Sequence, residues 1–334
     1  MKNYLICLSL LMLVAGKRLA AQSYHFSQFF STPLLTNPAH TGFIEGPYRV
    51  ASNIRSQGSL KNGTYFTGYL SGDFSLLRSA LPAGSTAGVG VYVMKDQSMG
   101  GVLQNHSAGV SMAYNIGLDE DGIYSLGLGF QGTFHQKSID FNRLIFENQI
   151  GQDGYNPSLP IGEGFDYYNK SYMDVNAGMT YNAFWENGSF FGSAAVYNIL
   201  KHKENILPDA YAVPKRIALQ AGGQIYVGDY GKVYLSATHM RQAGASEFTI
   251  GGAYGHQLDI AEGKNEINLG MWHRLKDAVI PYVGYQTEKF QFGFSFDFTV
   301  SSLKTGAQVR NGQEVTIIFK APDLTEIKRL IPWY

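Results

Sequence analysis

The sequence has almost no cysteine, little charge and, after its first residues, no long apolar run. Its only cysteine, Cys7, lies near the N-terminus, so the rest of the chain has no thiol for a disulfide or for nucleophilic chemistry. Charged residues make up 16% of the chain, whereas a soluble domain has about a quarter. Beyond residue 21 no stretch approaches the ~20 apolar residues of a transmembrane helix. These absences argue against a disulfide-stabilised domain and against a helical membrane protein.

Glycine and aromatic residues are abundant instead. The chain has 39 Gly, 22 Tyr and 21 Phe, and its formal net charge is zero. A neutral chain is not expected to bind nucleic acid over its surface as a whole. Many aromatics, many glycines and few charges, without long apolar runs, are typical of an outer-membrane β-barrel.

Alternation of apolar and polar residues is strongest between residues 290 and 300. Side chains of a strand point to opposite faces in turn, so one face of this segment is a stripe of phenylalanine and the other is polar. A soluble sandwich would bury such a stripe, whereas a membrane barrel would turn it towards outer-membrane lipid. The low charge favours the membrane, and we expect five residues to face lipid: Phe290, Phe292, Phe294, Phe296 and Phe298.

Similar alternating segments recur along the chain. They predict an all-β fold, a transmembrane antiparallel β-barrel of about 14 strands (about 12 to 16), with a non-strand N-terminal plug or lid segment. The predicted strands lie near 47–57, 63–75, 86–96, 104–117, 122–136, 171–184, 190–200, 213–227, 232–241, 247–258, 265–275, 279–287, 290–301 and 313–320.

The connections between these segments alternate in character. Tight turns such as 119–122, 186–188 and 228–231 contain Asp or Asn with Gly, residues that favour short hairpins, whereas the connections 137–170 and 201–212 are long. With both chain ends in the periplasm, the tight turns fall on the periplasmic side and the long loops outside.

The chain divides into four predicted parts. Residues 1–21 resemble a secretory signal peptide, with basic Lys2, an apolar run and small residues at Ala20 and Ala21. We expect cleavage after Ala21 and export to the outer membrane; the alternative is an N-terminal membrane anchor. Residues 22–46 form the plug or lid, 47–320 the barrel and 321–334 a periplasmic tail with helical spacing of its apolar residues.

The segment 22–46 does not alternate like a strand. Pro33 and Pro38 lack the N–H that strand pairing needs, yet six large apolar side chains from Phe26 to Phe43 require burial. We therefore predict a plug inside the lumen or a lid at the periplasmic rim. The alternative is a simple segment that leads into the first strand.

The same segment resembles the opening motif of the PorP/SprF family, roughly Phe-Ser-Gln-Tyr, a spacer, Asn-Pro-Leu and then Asn-Pro-Ala-Tyr-x-Gly. Thr32 and His40 depart from it, where the family tends to have Asn and Tyr. The final segment, 312–317, is loosely similar to the family's ending, in which a glycine precedes a glutamate and a hydrophobic residue. The matching residues, expected to act in plugging or partner contact, are Phe26, Ser27, Gln28, Pro33, Leu34, Asn37, Pro38, Ala39 and Gly42.

The resemblance implies an outer-membrane barrel of the type IX secretion and gliding-motility machinery. Family members partner particular secreted or surface proteins, often large adhesins, and some contact periplasmic secretion components. On this basis the chain is expected to assist secretion or cell-surface attachment of a partner protein. The alternative, which barrel architecture alone supports, is an outer-membrane diffusion or uptake channel for small solutes.

The residues predict no catalytic, cofactor-binding or metal site. The eight histidines are scattered without a His-x-x-x-His pair or a His-Cys cluster, and Gly-x-Gly patterns such as 127–129 lie within a strand, where they open no nucleotide-binding helix. We therefore expect no enzyme activity and no cofactor.

The long connection 137–170 is the predicted partner loop. Aromatic residues in a loop of this length pack over the barrel mouth or form a protein interface, and the sequence leaves both open. The basic residues near 201–216 are expected to be ordinary solvated loop residues, or a patch for an acidic partner or lipopolysaccharide phosphate. The candidate partner-loop aromatics are Phe141, Phe146, Tyr155, Phe165, Tyr167 and Tyr168.

Overall fold

The computed structural model describes residues 25–58, 65–77, 80–82, 84–151, 154–156, 158–160, 168–204, 211–258, 265–300 and 311–322. The predicted signal peptide, 1–21, and the predicted tail beyond residue 322 lie outside these ranges. Within them, no helix combines the length and apolar character that crossing a bilayer requires.

The described residues build one closed antiparallel barrel. Each of its fourteen strands pairs with its neighbours in the chain, and the last strand pairs back onto the first. The predicted closed barrel of about 14 strands is confirmed. The strands are β1 (Tyr48–Gln57), β2 (Tyr65–Leu76), β3 (Thr86–Ser98), β4 (Leu103–Gly117), β5 (Tyr124–Ile139), β6 (Tyr168–Trp185), β7 (Gly188–Tyr197), β8 (Arg216–Val227), β9 (Gly231–Gln242), β10 (Ala245–Gln257), β11 (Glu266–Arg274), β12 (Ala278–Gln286), β13 (Phe290–Thr299) and β14 (Gly312–Lys320).

The barrel is apolar outside and polar inside. In β4, Val110 and Met112 face outward and are 62% and 60% exposed, whereas Ser111 between them is 2% exposed. Small and polar side chains with this inward direction recur from strand to strand. A soluble barrel would have the opposite distribution, so the outer surface is suited to hydrocarbon.

The phenylalanine stripe of β13 follows the same rule. Phe290, Phe292, Phe294 and Phe298 point outward and are 40% to 50% exposed. Phe296 also lies on this face but is half-buried, because its ring packs against that of Phe298 with 4.7 Å between centroids.

The two ends of the barrel differ in their connections. At the end where β1 begins and β14 finishes, which we call the turn rim, short turns join β6 to β7, β8 to β9 and β12 to β13. The opposite end, the loop rim, carries the two longest connections, 140–167 and 198–215. The sorting is incomplete, because 77–85 and 258–265 are longer connections at the turn rim.

Residues 25–46, which we call the lumen segment, lie inside the barrel. Two 3-10 turns, Phe29–Ser31 and Pro38–His40, flank one turn of helix, α1 (Pro33–Thr36). Pro33 is the first residue of α1, a position at which the missing N–H is not needed. The segment starts beside β1 and β14 near the loop rim and ends beside Ala321 at the turn rim. Of the two predicted positions, inside the lumen or at the periplasmic rim, the segment takes the one inside the lumen.

Candidate functional site

The end of the lumen segment nearer the loop rim is hydrogen-bonded to β13 and β14, the last two strands of the barrel. Glu314 accepts hydrogen bonds from the backbone N–H groups of Ser27 at 2.8 Å and Gln28 at 2.9 Å. The Gln28 side-chain amide donates to Ser295 Oγ and to the Glu314 carbonyl oxygen, both at 3.0 Å. All four residues are buried, so these bonds form away from bulk water.

A charge cluster surrounds this point. Asp297 Oδ2 accepts from Arg55 Nη2 at 2.8 Å and from Arg274 Nη2 at 3.1 Å, and Arg55 Nη1 lies 3.3 Å from Glu314 Oε2. The Ser27 hydroxyl donates to Asp297 at 2.8 Å and accepts from both guanidinium groups. Two arginines thus meet two carboxylates, which offsets the large penalty of burying isolated charges.

The middle of the lumen segment is bonded to strands on another side of the barrel. The Asn37 side-chain amide donates to the Met179 carbonyl oxygen at 3.0 Å and to the Ala194 carbonyl oxygen at 3.2 Å. Its Oδ1 accepts from the Ala39 N–H at 2.8 Å, which begins the second 3-10 turn. Gln131 of β5 adds a 2.9 Å bond to the Leu34 carbonyl oxygen.

Two glycines, one in β5 and one in β6, allow the lumen segment to lie close to these strands. A side chain at Gly129 would collide with the backbone of Pro38, and one at Gly178 would collide with Asn37. Glycine in a strand often marks a place where another backbone comes close. At these two inward-facing positions the strands therefore carry glycine because the lumen segment lies directly against them.

The end of the lumen segment nearer the turn rim is held by a second ion pair. Asp73 Oδ2 accepts from the Gly42 N–H and from Arg49 Nη2, each at 2.8 Å, and Arg49 Nη2 also donates to the His40 carbonyl oxygen at 3.3 Å. Gly42 has a φ of 67°, a left-handed conformation that glycine adopts without strain. Burial, together with the positive charge of Arg49, lowers the pKa of His40 to about 3.

Apolar side chains of the segment fill the remaining space in two clusters. Phe30 packs against Trp272 with 4.9 Å between ring centroids and edge-on against Tyr282 at 5.5 Å. The first cluster comprises Phe29, Phe30 and Phe43 with Phe191, Tyr234, Ala253, Trp272, Ala278, Ile280 and Tyr282. The second comprises Phe26, Leu34 and Leu35 with Ala51, Tyr69, Tyr92, Met94 and Ile318.

Every residue of the predicted opening motif is buried in this interface. Their roles differ: some bond the barrel, some pack in the clusters and Gly42 makes a turn. The inward-facing charges that receive the motif escaped the sequence reasoning. The sequence signal that could have found these charges is a charged residue at an inward-facing position of an alternating strand. The nine motif residues are Phe26, Ser27, Gln28, Pro33, Leu34, Asn37, Pro38, Ala39 and Gly42, and the missed ones are Arg49, Arg55, Asp73, Arg274, Asp297 and Glu314.

Between the lumen segment and the loop rim the barrel contains a cavity of about 550 Å³, which we call the loop-rim cavity. Its walls are the loop-rim ends of the strands, such as Gln57, Ser98 and Lys137, and the side chains of His25 and Leu35 belong to its floor. The lumen segment therefore separates this cavity from the turn rim.

The predicted partner loop is only partly described. Phe141 and Phe146 are half-buried and lie against each other with 6.5 Å between centroids, whereas Tyr155 is 49% exposed. The placement of Tyr168 in the loop is wrong, since this residue begins β6 and pairs with Ile139. The first residues of β6 extend beyond its neighbour β7, and exposed and half-buried residues follow one another there without alternation. Phe165 and Tyr167 lie outside the described residues.

The remaining site predictions concern metals and other chemistry. Over the ranges that the structure describes, no group of three or more His, Cys, Asp or Glu residues is placed to hold a metal ion.

A closed antiparallel barrel with an apolar outer face and a polar, filled lumen defines an outer-membrane β-barrel protein.

Comparison with solved structures agrees on this fold. The toluene transporter TbuX of Ralstonia pickettii superposes with a TM-score of 0.51 at 8% identity, over 86% of this chain and 92% of that chain. The toluene transporter TodX of Pseudomonas putida gives 0.52 at 7%, over 89% and 93%. A FadL homologue of Pseudomonas aeruginosa gives 0.51 at 9%, over 86% and 93%. Identities this low show the barrel fold alone.

The family is shown by sequence. The model of the type IX secretion system membrane protein PorP/SprF matches residues 18–319. The chain belongs to this family, as its opening motif predicted. No curated protein matches the sequence.

Proposed function

We propose that the chain is a non-enzymatic outer-membrane component of type IX secretion that assists the secretion or surface attachment of a partner protein. Membership of the family supports the secretion role. The observation that carries the proposal in this chain is the filled lumen, since a barrel that is plugged along much of its length is suited to holding a protein at its rim.

The construction of the lumen segment argues against a simple diffusion pore. The segment is bonded to strands on opposite sides of the barrel, through Glu314 at one side and Met179 at another, and its side chains are buried among inward residues. Solute passage would require displacement of these contacts.

The channel alternative has one observation in its favour. The loop-rim cavity of about 550 Å³ is large enough for a small ligand, and similar barrels are described as toluene transporters. A channel also requires a path past the lumen segment. Planar-bilayer conductance separates the two functions: a steady open pore favours the channel, and silence favours the plugged partner protein.

The partner surface is proposed to lie at the loop rim. In the connection 140–167, Ile145 and Ile150 are 63% and 59% exposed, and apolar side chains of this size in a long loop suit a protein interface. The exported partner is a secreted or surface protein, adhesin-like in the family, and the opposite rim faces periplasmic secretion components.

Affinity purification of the tagged chain from gently solubilised outer membranes, with mass spectrometry, tests this function. One large secreted protein should be recovered, with or without secretion components. An Ile145→Asp/Ile150→Asp variant should lose it, whereas Leu118→Asp, which changes a residue that is 55% exposed at the turn rim, should retain it. Recovery of the barrel alone after crosslinking would contradict the partner function.

Export through a cleaved signal peptide is part of the same proposal. Residues 1–21 carry the basic start and apolar run that support it. Sequencing of the N-terminus of the protein from outer membranes should find Gln22 first. A chain that keeps Met1 in the membrane fraction would instead indicate an N-terminal anchor.

A further inference from the structure

The charged side chains of the barrel strands are sorted by direction. In the fourteen strands, all of which lie within the described ranges, alternation directs every carboxylate into the lumen. It directs only two charged residues outward, Lys95 in β3 and Arg241 in β9, and both are exposed. The inward carboxylates are Asp73, Asp96, Asp174, Glu247, Glu266, Asp297 and Glu314.

Both outward charges are positive and lie near the loop rim. β3 and β9 run from the turn rim to the loop rim, and Lys95 and Arg241 belong to the last four residues of their strands. A cation on the lipid face is costly at the bilayer midplane and costs little at the interface, where its long side chain reaches the headgroups. The strands carry no outward charge at the turn rim, so the cations are confined to one leaflet.

Lys95 has no acidic neighbour on the outer face. It follows Val91 and Val93, which are exposed on the same face, and its partner across the ladder with β2 is Gly68, which has no side chain. The two connections nearest to it at the loop rim, 58–64 and 99–102, contain no Asp or Glu. The Lys95 ammonium makes no ion pair or hydrogen bond with any described residue.

Arg241 is placed in the same way on the far side of the barrel. Its ladder partners are Ile217 in β8, which is exposed, and Ser246 in β10. Ser246 is already bonded to the His239 ring at 2.8 Å, and the Arg241 guanidinium makes no bond to the residues that the structure describes. A free guanidinium offers paired N–H donors that match the oxygens of a phosphate.

The level of these cations in the bilayer favours lipid as their ligand. Val93 precedes Lys95 on the hydrocarbon-facing surface and Ile217 lies beside Arg241, so the adjoining layer outside the barrel consists of lipid headgroups. A phosphate in that layer is within reach of both side chains, whereas an acidic protein would have to displace the lipid first. The loop rim is the outer side in the arrangement predicted from the connection lengths, and the phosphate-bearing lipid of that leaflet is lipopolysaccharide.

We infer that Lys95 and Arg241 bind phosphate groups of lipopolysaccharide at two separate points on the outer face of the barrel. β3 and β9 are six strands apart in a closed sheet of fourteen, so the two sites lie on nearly opposite sides. Lipids bound there hold the loop rim level with the headgroups. The inference goes beyond the proposed function, because the ligand is a membrane lipid and not the exported partner.

Native mass spectrometry of the purified full-length barrel in detergent tests the inference. The probe is phosphorylated lipid A, compared with the same lipid A after its phosphates have been removed. We expect the phosphorylated form to be retained and the dephosphorylated form to be retained far less. Lys95→Gln and Arg241→Gln should each weaken binding at their own site about fivefold, equivalent to about 1 kcal/mol, and the double variant should bind both forms alike.

Two further variants separate the charge at these sites from charge elsewhere. Lys289→Gln removes an exposed positive charge at the turn rim and should leave retention of lipid A unchanged, and Lys95→Arg keeps the charge and should retain the lipid. Lys95 and Arg241 are exposed and bond no described residue, so their variants disturb no buried contact.

Equal retention of phosphorylated lipid A by the wild type and the double variant would overturn the inference. So would equal retention of the two forms of lipid A by the wild type. Inorganic phosphate should not displace the lipid, since it lacks the acyl chains that lie against the apolar outer face. Displacement by inorganic phosphate would identify the ligand as a free anion and would overturn the assignment to lipid.

Discussion

Glu314 accepts a 2.8 Å hydrogen bond from the backbone N–H of Ser27, although the two residues lie 287 positions apart in the chain. Glu314 belongs to β14, the strand that closes the barrel by pairing with β1. The lumen segment therefore reaches its final position only when the last strand is present. Contacts of such long range slow folding, and they connect closure of the barrel to filling of its lumen.

Loss of the Glu314 carboxylate should weaken the attachment of the lumen segment to β14. Glu314→Gln removes one of the two carboxylates that pair with Arg55 and leaves it with Asp297, and breaking a buried ion pair costs about 3 kcal/mol or more. We expect a lower free energy of unfolding in detergent, and earlier cleavage of the chain near residue 27 by added protease. Gln313→Ala changes the exposed neighbour and should have little effect; equal effects of both variants would disprove the assigned role.

A side chain at Gly129 should displace the lumen segment. In Gly129→Ala the new methyl group meets the backbone of Pro38, and overpacking of this kind costs about 1–3 kcal/mol. Gly132→Ala on the same strand meets nothing within 4 Å and serves as the control. Bilayer conductance should appear or rise in Gly129→Ala only. Silent, equally stable variants would show that the segment does not lie against Gly129.

Much of this fold was accessible from sequence, because period-two alternation is a local signal. It identified fourteen strand segments and the outward stripe that includes Phe294. The prolines and buried apolar residues of the lumen segment likewise indicated that it was not a strand.

The ion cluster was not accessible. Alternation shows that Asp297 and Glu314 face the lumen, but it does not show which strands meet across that lumen. The register between Arg55 and Glu314 comes from barrel closure, which is non-local. Tyr168 was missed for a different reason: at the start of β6 exposed and half-buried residues follow one another, and the alternation that marks a strand is lost.

His40 should make the barrel less stable in acid. Its pKa is about 3 in the folded protein and 6.5 in the unfolded chain, so the unfolded state binds more protons as pH falls below 6.5. Its contribution to stability is complete above pH 6.5 and declines from there towards pH 3, by up to about 2 kcal/mol at pH 5.

The His40→Gln variant isolates this contribution. Unfolding of wild type and variant should be compared at pH 7.5 and pH 5, since carboxylates elsewhere titrate in both proteins. We expect the pH-dependent loss to be smaller in the variant. The same loss in both proteins would show that His40 does not contribute to it.

Charge on the outer face should be costly in proportion to depth. Phe294 lies in the middle of β13 and is 43% exposed, whereas Phe290 begins the strand at the turn rim. An arginine at the bilayer midplane destabilises a barrel by about 2–4 kcal/mol, and one near the interface by about 0–1 kcal/mol. Phe294→Arg should therefore lower the free energy of unfolding in lipid vesicles more than Phe290→Arg. Equal costs would indicate that β13 does not cross hydrocarbon.

The orientation of the barrel follows from its two rims and is testable at two matched glycines. Gly244 at the loop rim and Gly228 at the turn rim both have a positive φ and open space around them, so a short epitope inserted at either should leave the strands intact. Long loops face outside and short turns the periplasm in bacterial barrels. Antibody should label intact cells carrying the Gly244 insertion, and label the Gly228 insertion only after permeabilisation. The reverse pattern would place the loop rim, with its proposed partner surface, in the periplasm, where it would meet the partner before export and not after it.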